Sequence, residues 1–241
     1  MFQSDPFSLI VVLVGLSLVA FVAMVATSYL KIVVVMSLIR NALGIQSIPP
    51  NMVINALAMI LTFYIMAPVV SESWGIAQKE LSSQVSASQS PASQVSGAGA
   101  AQTPEQQLSM LALRTEAFGR AAEPFRKFLS EHTAPRERAF FISTAETLWG
   151  KDGEPAKVDS ESFWILLPSF CVSELTKSFQ IGFLVYLPFI AIDIIVSNIL
   201  LAMGMMMVSP VTISLPFKLL LFVMVNGWTL LIQGLVKGYL L

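Results

Sequence analysis

The chain has 241 residues, of which 55% are hydrophobic and 12% charged, with a formal net charge of −1. A soluble domain carries about 25% charged residues, roughly twice this share, so an ordinary water-exposed surface is excluded along most of the length. No basic tail or patch points to nucleic acid, and that class drops out as well.

The charges are crowded: 21 of the 29 lie between Glu72 and Glu161, and the flanks are nearly uncharged. In the first flank, residues 6–30 hold no charged side chain. As one helix they would span about 37 Å, enough for a hydrocarbon core of about 30 Å. A cleaved signal segment would need a positively charged start, whereas this chain offers Asp5 and no Lys or Arg before Lys31; a retained helix is expected. Apolar character continues to Ile39 and is then broken by Gly44 and the Pro49–Pro50 pair. A second uncharged run covers 51–70, so 1–75 reads as an apolar helical hairpin.

Residues 76–160 differ in kind and read as a polar, extracytoplasmic helical module. Within it, 82–104 is Ser, Ala, Gln and Gly without charge, a composition that buries too little apolar surface to offset its ordering entropy and is expected to be a flexible linker. Thr103, Pro104 and Gln106 then match the start of a helix. Leu108, Leu111, Thr115, Phe118, Ala122, Phe125 and Leu129 mark one face of it, with a possible kink at Pro124. A second short helix is expected over 136–149.

From residue 161 the chain is apolar to its end, a second hairpin with helices expected at 163–207 and 212–238, separated by Val208, Ser209 and Pro210. Gly182 and Pro188 are candidate bends in the longer one. Lys31, Arg40 and Lys218 near the short connections place those connections in the cytoplasm, which leaves the 76–160 module on the other side. The fold class is therefore an all-α membrane protein, with helical hairpins flanking a small helical module.

No catalytic constellation survives. His132 is the single histidine, so neither a histidine-based triad nor a multi-histidine metal site can be built; it reads as a solvated loop residue. No phosphate-binding glycine loop is present, and no cofactor or metal is expected. Cys171 cannot form an internal disulfide and reads as a small buried hydrophobe. Three ionisable groups stand inside apolar helices: Glu174, Asp193 and Lys218. Each costs roughly 2.5–3.5 kcal/mol at a bilayer centre if unpaired, so partners are expected. For a hairpin turning near Ser209, Asp193 falls opposite Asn226, a possible hydrogen-bond partner. Lys218 finds no acid opposite, and its counter-ion is expected from a neighbouring subunit, with Glu174 the first candidate, or from a folded-back Glu174. The alternative is that Lys218 snorkels to an interface.

Two strings in the last third carry a family likeness: Pro168-Ser-Phe-Cys-Val-Ser-Glu-Leu-Thr-Lys-Ser-Phe-Gln-Ile-Gly-Phe183, and Leu201-Ala-Met-Gly-Met-Met-Met-Val-Ser-Pro-Val-Thr-Ile-Ser-Leu-Pro-Phe-Lys218. With Thr27-Ser-Tyr-Leu-Lys31, Leu38-Ile-Arg-Asn-Ala-Leu-Gly44 and Leu61-Thr-Phe-Tyr-Ile-Met-Ala-Pro68, they closely resemble the FliP/SctR family, the core export-gate proteins of flagellar and virulence type III secretion systems. The resemblance covers about 1–75 and 120–241 and leaves the Ser/Ala/Gln segment outside. It implies a ring-shaped export gate, a pentameric homo-oligomer in the bacterial inner membrane that projects to the periplasmic side. The implied partners are the SctS/FliQ-type and SctT/FliR-type membrane subunits, the SctU/FlhB-type and SctV/FlhA-type export components, membrane lipid, and secreted unfolded proteins in transit. Flagellar members usually begin with a cleaved signal peptide, so the expected absence of one points toward a virulence system. The resemblance also makes Met205, Met206 and Met207 a pore gasket. Methionine is unbranched, apolar and deformable, which suits a seal that yields to a passing chain. The competing reading is a proton-coupled transporter or ion-conducting subunit with Asp193 and Glu174 as a relay.

Overall fold

The computed structural model describes residues 6–45, 48–88, 119–150, 157–205 and 207–240. Among them every regular element is helical: α1 (Pro6–Val25), α2 (Tyr29–Ala42), α3 (Asn51–Ser88), α4 (Glu123–His132), α5 (Pro135–Trp149), α6 (Phe163–Ala202), α7 (Pro210–Met224) and α8 (Gly227–Lys237). By length and composition α3 and α6 can each cross a membrane. The bent pairs α1–α2 and α7–α8 raise the number of candidate spans to four if each pair is one span.

Two compact units divide the chain, residues 1–65 with 132–241, and residues 66–131. In the first, α2 and α6 form the central pair, with α7 and α5 also packed on α6. The apolar residues of α2 explain this arrangement. Ile32, Val35, Met36 and Ile39 follow the i, i+3, i+4, i+7 pattern of one helix face, and all four are fully buried. Ile54 and Ala58 of α3, Phe189 of α6, Phe222 of α7 and Leu235 of α8 complete the cluster. Close approach of α2 and α6 depends on Gly182, where an added Cβ would lie 2.4 Å from Leu38 Cδ1. The α2–α3 connection is held by Arg40, whose Nη1 donates to the Pro49 carbonyl at 3.3 Å and to Asn51 Oδ1.

The second unit contains the distal part of α3, residues 119–122 and most of α4. Arg120 and Glu80 form an ion pair at 2.8 Å, and Phe128 and Leu129 are buried.

Several boundaries differ from the sequence reading. The first apolar run bends by 62° between α1 and α2, where the Thr27 hydroxyl accepts the Tyr29 N–H at 3.5 Å and competes with the helical ladder. The second run does not stop near residue 70 but continues through Pro68 as one helix to Ser88, so the first residues of the expected linker are helical; residues 89–104 lie outside the described residues. So does the whole stripe from Leu108 to Phe118. Pro124 stands in the first turn of α4, where its missing N–H is harmless, and marks a start instead of a kink. α5 begins at Pro135, one residue before the expected start, and packs on α6. The last apolar run is broken by 59° at Asn226, which adopts the left-handed conformation with φ 51°. α6 runs unbroken through Gly182 and Pro188 and stops at Ala202, five residues short of the expected end.

Candidate functional site

The methionine segment begins where α6 ends. Gly204 takes φ +73°, its N–H donates to the Leu201 carbonyl at 3.0 Å, and the Met205 N–H donates to the Leu200 carbonyl at 2.9 Å. This is the Schellman arrangement, in which a left-handed residue satisfies the last carbonyls and turns the chain off the helix axis. α7 restarts at Pro210, a residue suited to the first helical turn. Between these stops Met205 and Met207 occupy a loop instead of a helix; Met206 lies outside the described residues. Met207 is fully exposed, and Met203, which the sequence reading passed over, is 62% exposed.

Two ion-pair clusters lie deeper. In the first, Lys218 Nζ is 2.6 Å from Asp193 Oδ2 and 3.4 Å from the Ala42 carbonyl, while the Ser214 hydroxyl donates to Asp193 Oδ1 at 2.5 Å. Ser214 and Lys218 are four residues apart on α7, on one face, and both are buried. Within the chain Asp193 takes Lys218 in place of Asn226. Lys218 is held by Asp193 of its own chain and not by Glu174. Asn226 sits exposed at the α7–α8 break, its carbonyl accepting the Leu230 N–H at 3.1 Å. The register differs from that of a turn centred on Ser209 because the helices stop at Ala202 and resume at Pro210. Measured from those ends, Asp193 and Lys218 both stand between two and three turns in.

Glu174 organises the second cluster and is fully buried. Lys31 Nζ lies 3.0 Å from Oε2, and Lys177 Nζ lies 3.2 Å from Oε1 and 2.7 Å from the His132 carbonyl. The Tyr239 hydroxyl donates to Glu174 Oε2, and its ring lies under Lys31 Nζ at 4.0 Å. His132, expected in a solvated loop, is half-buried with its ring 5.2 Å from that of Tyr239. Cys171 is half-buried, its Sγ 3.8 Å from the Val25 carbonyl. The cluster thus ties α2, α6, the end of α4 and the segment after α8 to one carboxylate. Lys177 was legible as an i+3 neighbour of Glu174, but nothing local in the sequence brings Lys31 or Tyr239 to it. Because Lys31 and Lys218 are neutralised inside the fold, they carry less weight for orientation than they do in a simple count of loop charges.

Among the described residues no group of three or more His, Cys, Asp and Glu is placed to hold a metal. The arrangement is thus an apolar turn with Met205 and Met207 exposed, on a helical frame pinned by charge. It resolves into a family once the whole chain is compared: the FliP family profile matches residues 12–235. The chain belongs to the FliP family. The bounds of that match enclose the Ser/Ala/Gln segment as well as the flanks. The Yop proteins translocation protein R of Yersinia pestis is 47% identical, with 98% of this chain and 97% of that protein covered. The hypersensitivity response secretion protein HrcR of Ralstonia nicotianae is 43% identical, with 96% of each covered. The flagellar biosynthetic protein FliP of Bacillus subtilis is 36% identical over 98% of this chain and 93% of its own length.

Proposed function

We propose that this FliP-family chain is a core channel-forming component of a type III protein secretion export apparatus, conducting unfolded proteins across the bacterial inner membrane. In this reading copies of the chain form a ring, a pentamer by family likeness. The ring joins SctS/FliQ-type and SctT/FliR-type subunits and works with SctU/FlhB-type and SctV/FlhA-type components. Its assembled body projects to the periplasmic side. The greater identity to the translocation and secretion proteins than to the flagellar protein favours a virulence system.

The observation that carries the proposal is the methionine loop, set off from α6 by the Gly204 turn with Met205 and Met207 exposed. Three consecutive flexible apolar side chains at such a turn can meet their counterparts around a common axis, exclude water and ions, and give way when a polypeptide pushes through. The rival reading as a proton relay is weakened by the geometry around its carboxylates. Asp193 and Glu174 are each committed to lysines, which suits a frame better than a pathway.

Replacing Met205, Met206 and Met207 together with Ala tests the proposal. The complex and its secretion should persist while resting cells leak ions and small molecules; Leu in place of Ala should leak less. A triple-Ala variant as tight as the parent would move the seal elsewhere. One whose subunits no longer assemble would make the cluster ordinary packing.

A further inference from the structure

We propose that the cavity between α6, α7 and α8 holds one acyl chain of an anionic phospholipid whose headgroup is met by Lys237 and Lys177. The site requires only that these helices meet a bilayer, so it stands apart from the export reading above.

The cavity lies where α6 passes the α7–α8 break and has a volume of about 450 Å³. Every lining residue is apolar or glycine. Its floor is made by Phe189, Phe222 and Leu235, all buried, and its rim includes Pro188, Leu230 and Gly234, all exposed. The floor is rigid. Phe222 makes ring contacts with Phe189 at 6.4 Å and Trp228 at 5.3 Å, and it presses on Gly227, where an added Cβ would lie 2.3 Å from its ring. At the rim Gly234 leaves the space open, since an added Cβ there would meet nothing within 4 Å.

Size and lining together select the occupant. Voids much larger than a water are few in folded proteins, and this one has room for about fifteen groups of water size, at about 30 Å³ each. Water in such a place would need about two to four polar partners, and the lining offers no polar side chain. A flexible methylene chain suits it, entering from the lipid past the exposed rim. Moving an acyl chain from bilayer to apolar cavity gains little by itself, so the headgroup decides which lipid is held.

The charges that would meet a headgroup gather at one end. The Tyr239 hydroxyl donates to Glu174, which brings the end of α8 beside the first half of α6. Lys237 stands three residues after Gly234, and Lys177 four residues before Ile181, another lining residue. Each lysine is thus about one turn from the cavity on its own helix, at the same end of it. Lys237 is exposed and, among the described residues, makes no ion pair. Lys177, 38% exposed, bonds Glu174 and the His132 carbonyl and keeps a third donor. With Lys31 also on Glu174, three lysines stand here against one carboxylate. Basic groups beside a cleft between membrane helices suit an anionic headgroup.

Photolabelling tests this on the full chain, purified with any subunits bound to it and reconstituted in phosphatidylcholine vesicles. The probe is phosphatidylglycerol with a diazirine near the end of one acyl chain, and phosphatidylcholine with the same chain is the control. Label is expected on peptides holding Val185, Phe189 or Leu221, several-fold more from phosphatidylglycerol than from the control. Gly234→Leu fills the space and should lower that labelling several-fold without lowering the melting temperature. Lys237→Gln, an exposed change that carries the test if Gly234→Leu folds poorly, should bring the phosphatidylglycerol signal close to that of the control. Three results would overturn the proposal. Lining residues that take up neither probe would mean that something other than lipid, such as a partner's helix, fills the cavity. Equal labelling by the two probes in the parent would remove the headgroup site, and undiminished labelling in a folded Gly234→Leu protein would place the chain outside the cavity.

Discussion

Lys218 Nζ lies 2.6 Å from Asp193 Oδ2, joining α7 to α6 beside the buried Ser214 hydroxyl. The lysine side chain is 4% exposed and the aspartate 31%. Removing one member of such a pair leaves a buried charge without compensation, a loss of about 3–5 kcal/mol, whereas replacing both by apolar residues is often neutral.

Lys218→Met alone should therefore lower the unfolding temperature of the detergent-solubilised protein markedly, and Lys218→Met with Asp193→Leu should recover most of the loss. Charge exchange separates this pairing from the one expected on sequence grounds. Lys218→Asp should be partly rescued by Asp193→Lys, and Lys218→Glu should not be rescued by Glu174→Lys. Rescue through Glu174 would return the pair to a subunit boundary.

The second cluster makes a graded prediction. Tyr239→Phe removes one hydrogen bond to the Glu174 carboxylate but keeps the ring under Lys31, and should cost about 1–3 kcal/mol. Tyr239→Leu also loses the cation–π contact, worth about 2 kcal/mol when desolvated, and should be worse. Glu174→Gln leaves Lys31 buried without its counter-ion and should be the most damaging of the three. Because Tyr239 anchors the segment after α8, digestion by carboxypeptidase should accelerate in the same order. Equal rates in all three variants would show that the cluster does not hold the C-terminal segment.

Gly182 makes a packing prediction that hydropathy alone could not supply. An added Cβ would meet Leu38 Cδ1 at 2.4 Å, so Gly182→Ala should destabilise by about 1–3 kcal/mol through overpacking. Leu38→Ala in the same chain should relieve the clash and return part of that loss. At Gly15 no atom lies within 4 Å of an added Cβ, and Gly15→Ala should be close to neutral. Identical melting of the Gly182 and Gly15 variants would contradict the close α2–α6 approach.

These cases also show which features the sequence could carry. The helical class, the uncharged spans and the start of α5 follow from periodicity, charge distribution and proline placement, all local quantities. The stop at Ala202 was local too, since Gly204 is a C-cap signal, but the continuing apolar run hid it. That error of a few residues moved the hairpin register and assigned Asp193 to Asn226 in place of Lys218. The meeting of Lys31, Glu174 and Tyr239 was out of reach for a different reason: it joins positions far apart in the chain, and no periodicity encodes such a contact.

Gly204 offers the sharpest test of how the methionine loop is aimed. Its φ of +73° is left-handed, and an added Cβ would meet nothing within 4 Å. The effect of a substitution there is therefore conformational and not steric crowding by neighbours. A β-branched residue resists this region most, at about 1–2 kcal/mol or more, while Asn enters it with little penalty. Gly204→Val should disturb the Schellman bonds from Gly204 and Met205, letting α6 run on and swinging Met205 and Met207 off their present direction. Under the gasket reading, resting cells with Gly204→Val should leak small ions although every methionine is retained, and cells with Gly204→Asn should stay nearly tight. The assembled complex should be recovered in similar amounts from both, since Gly204 touches none of the buried clusters. If Gly204→Val cells held ions as well as the parent, the orientation of the loop would not matter to the seal, and the proposal would rest on methionine composition alone.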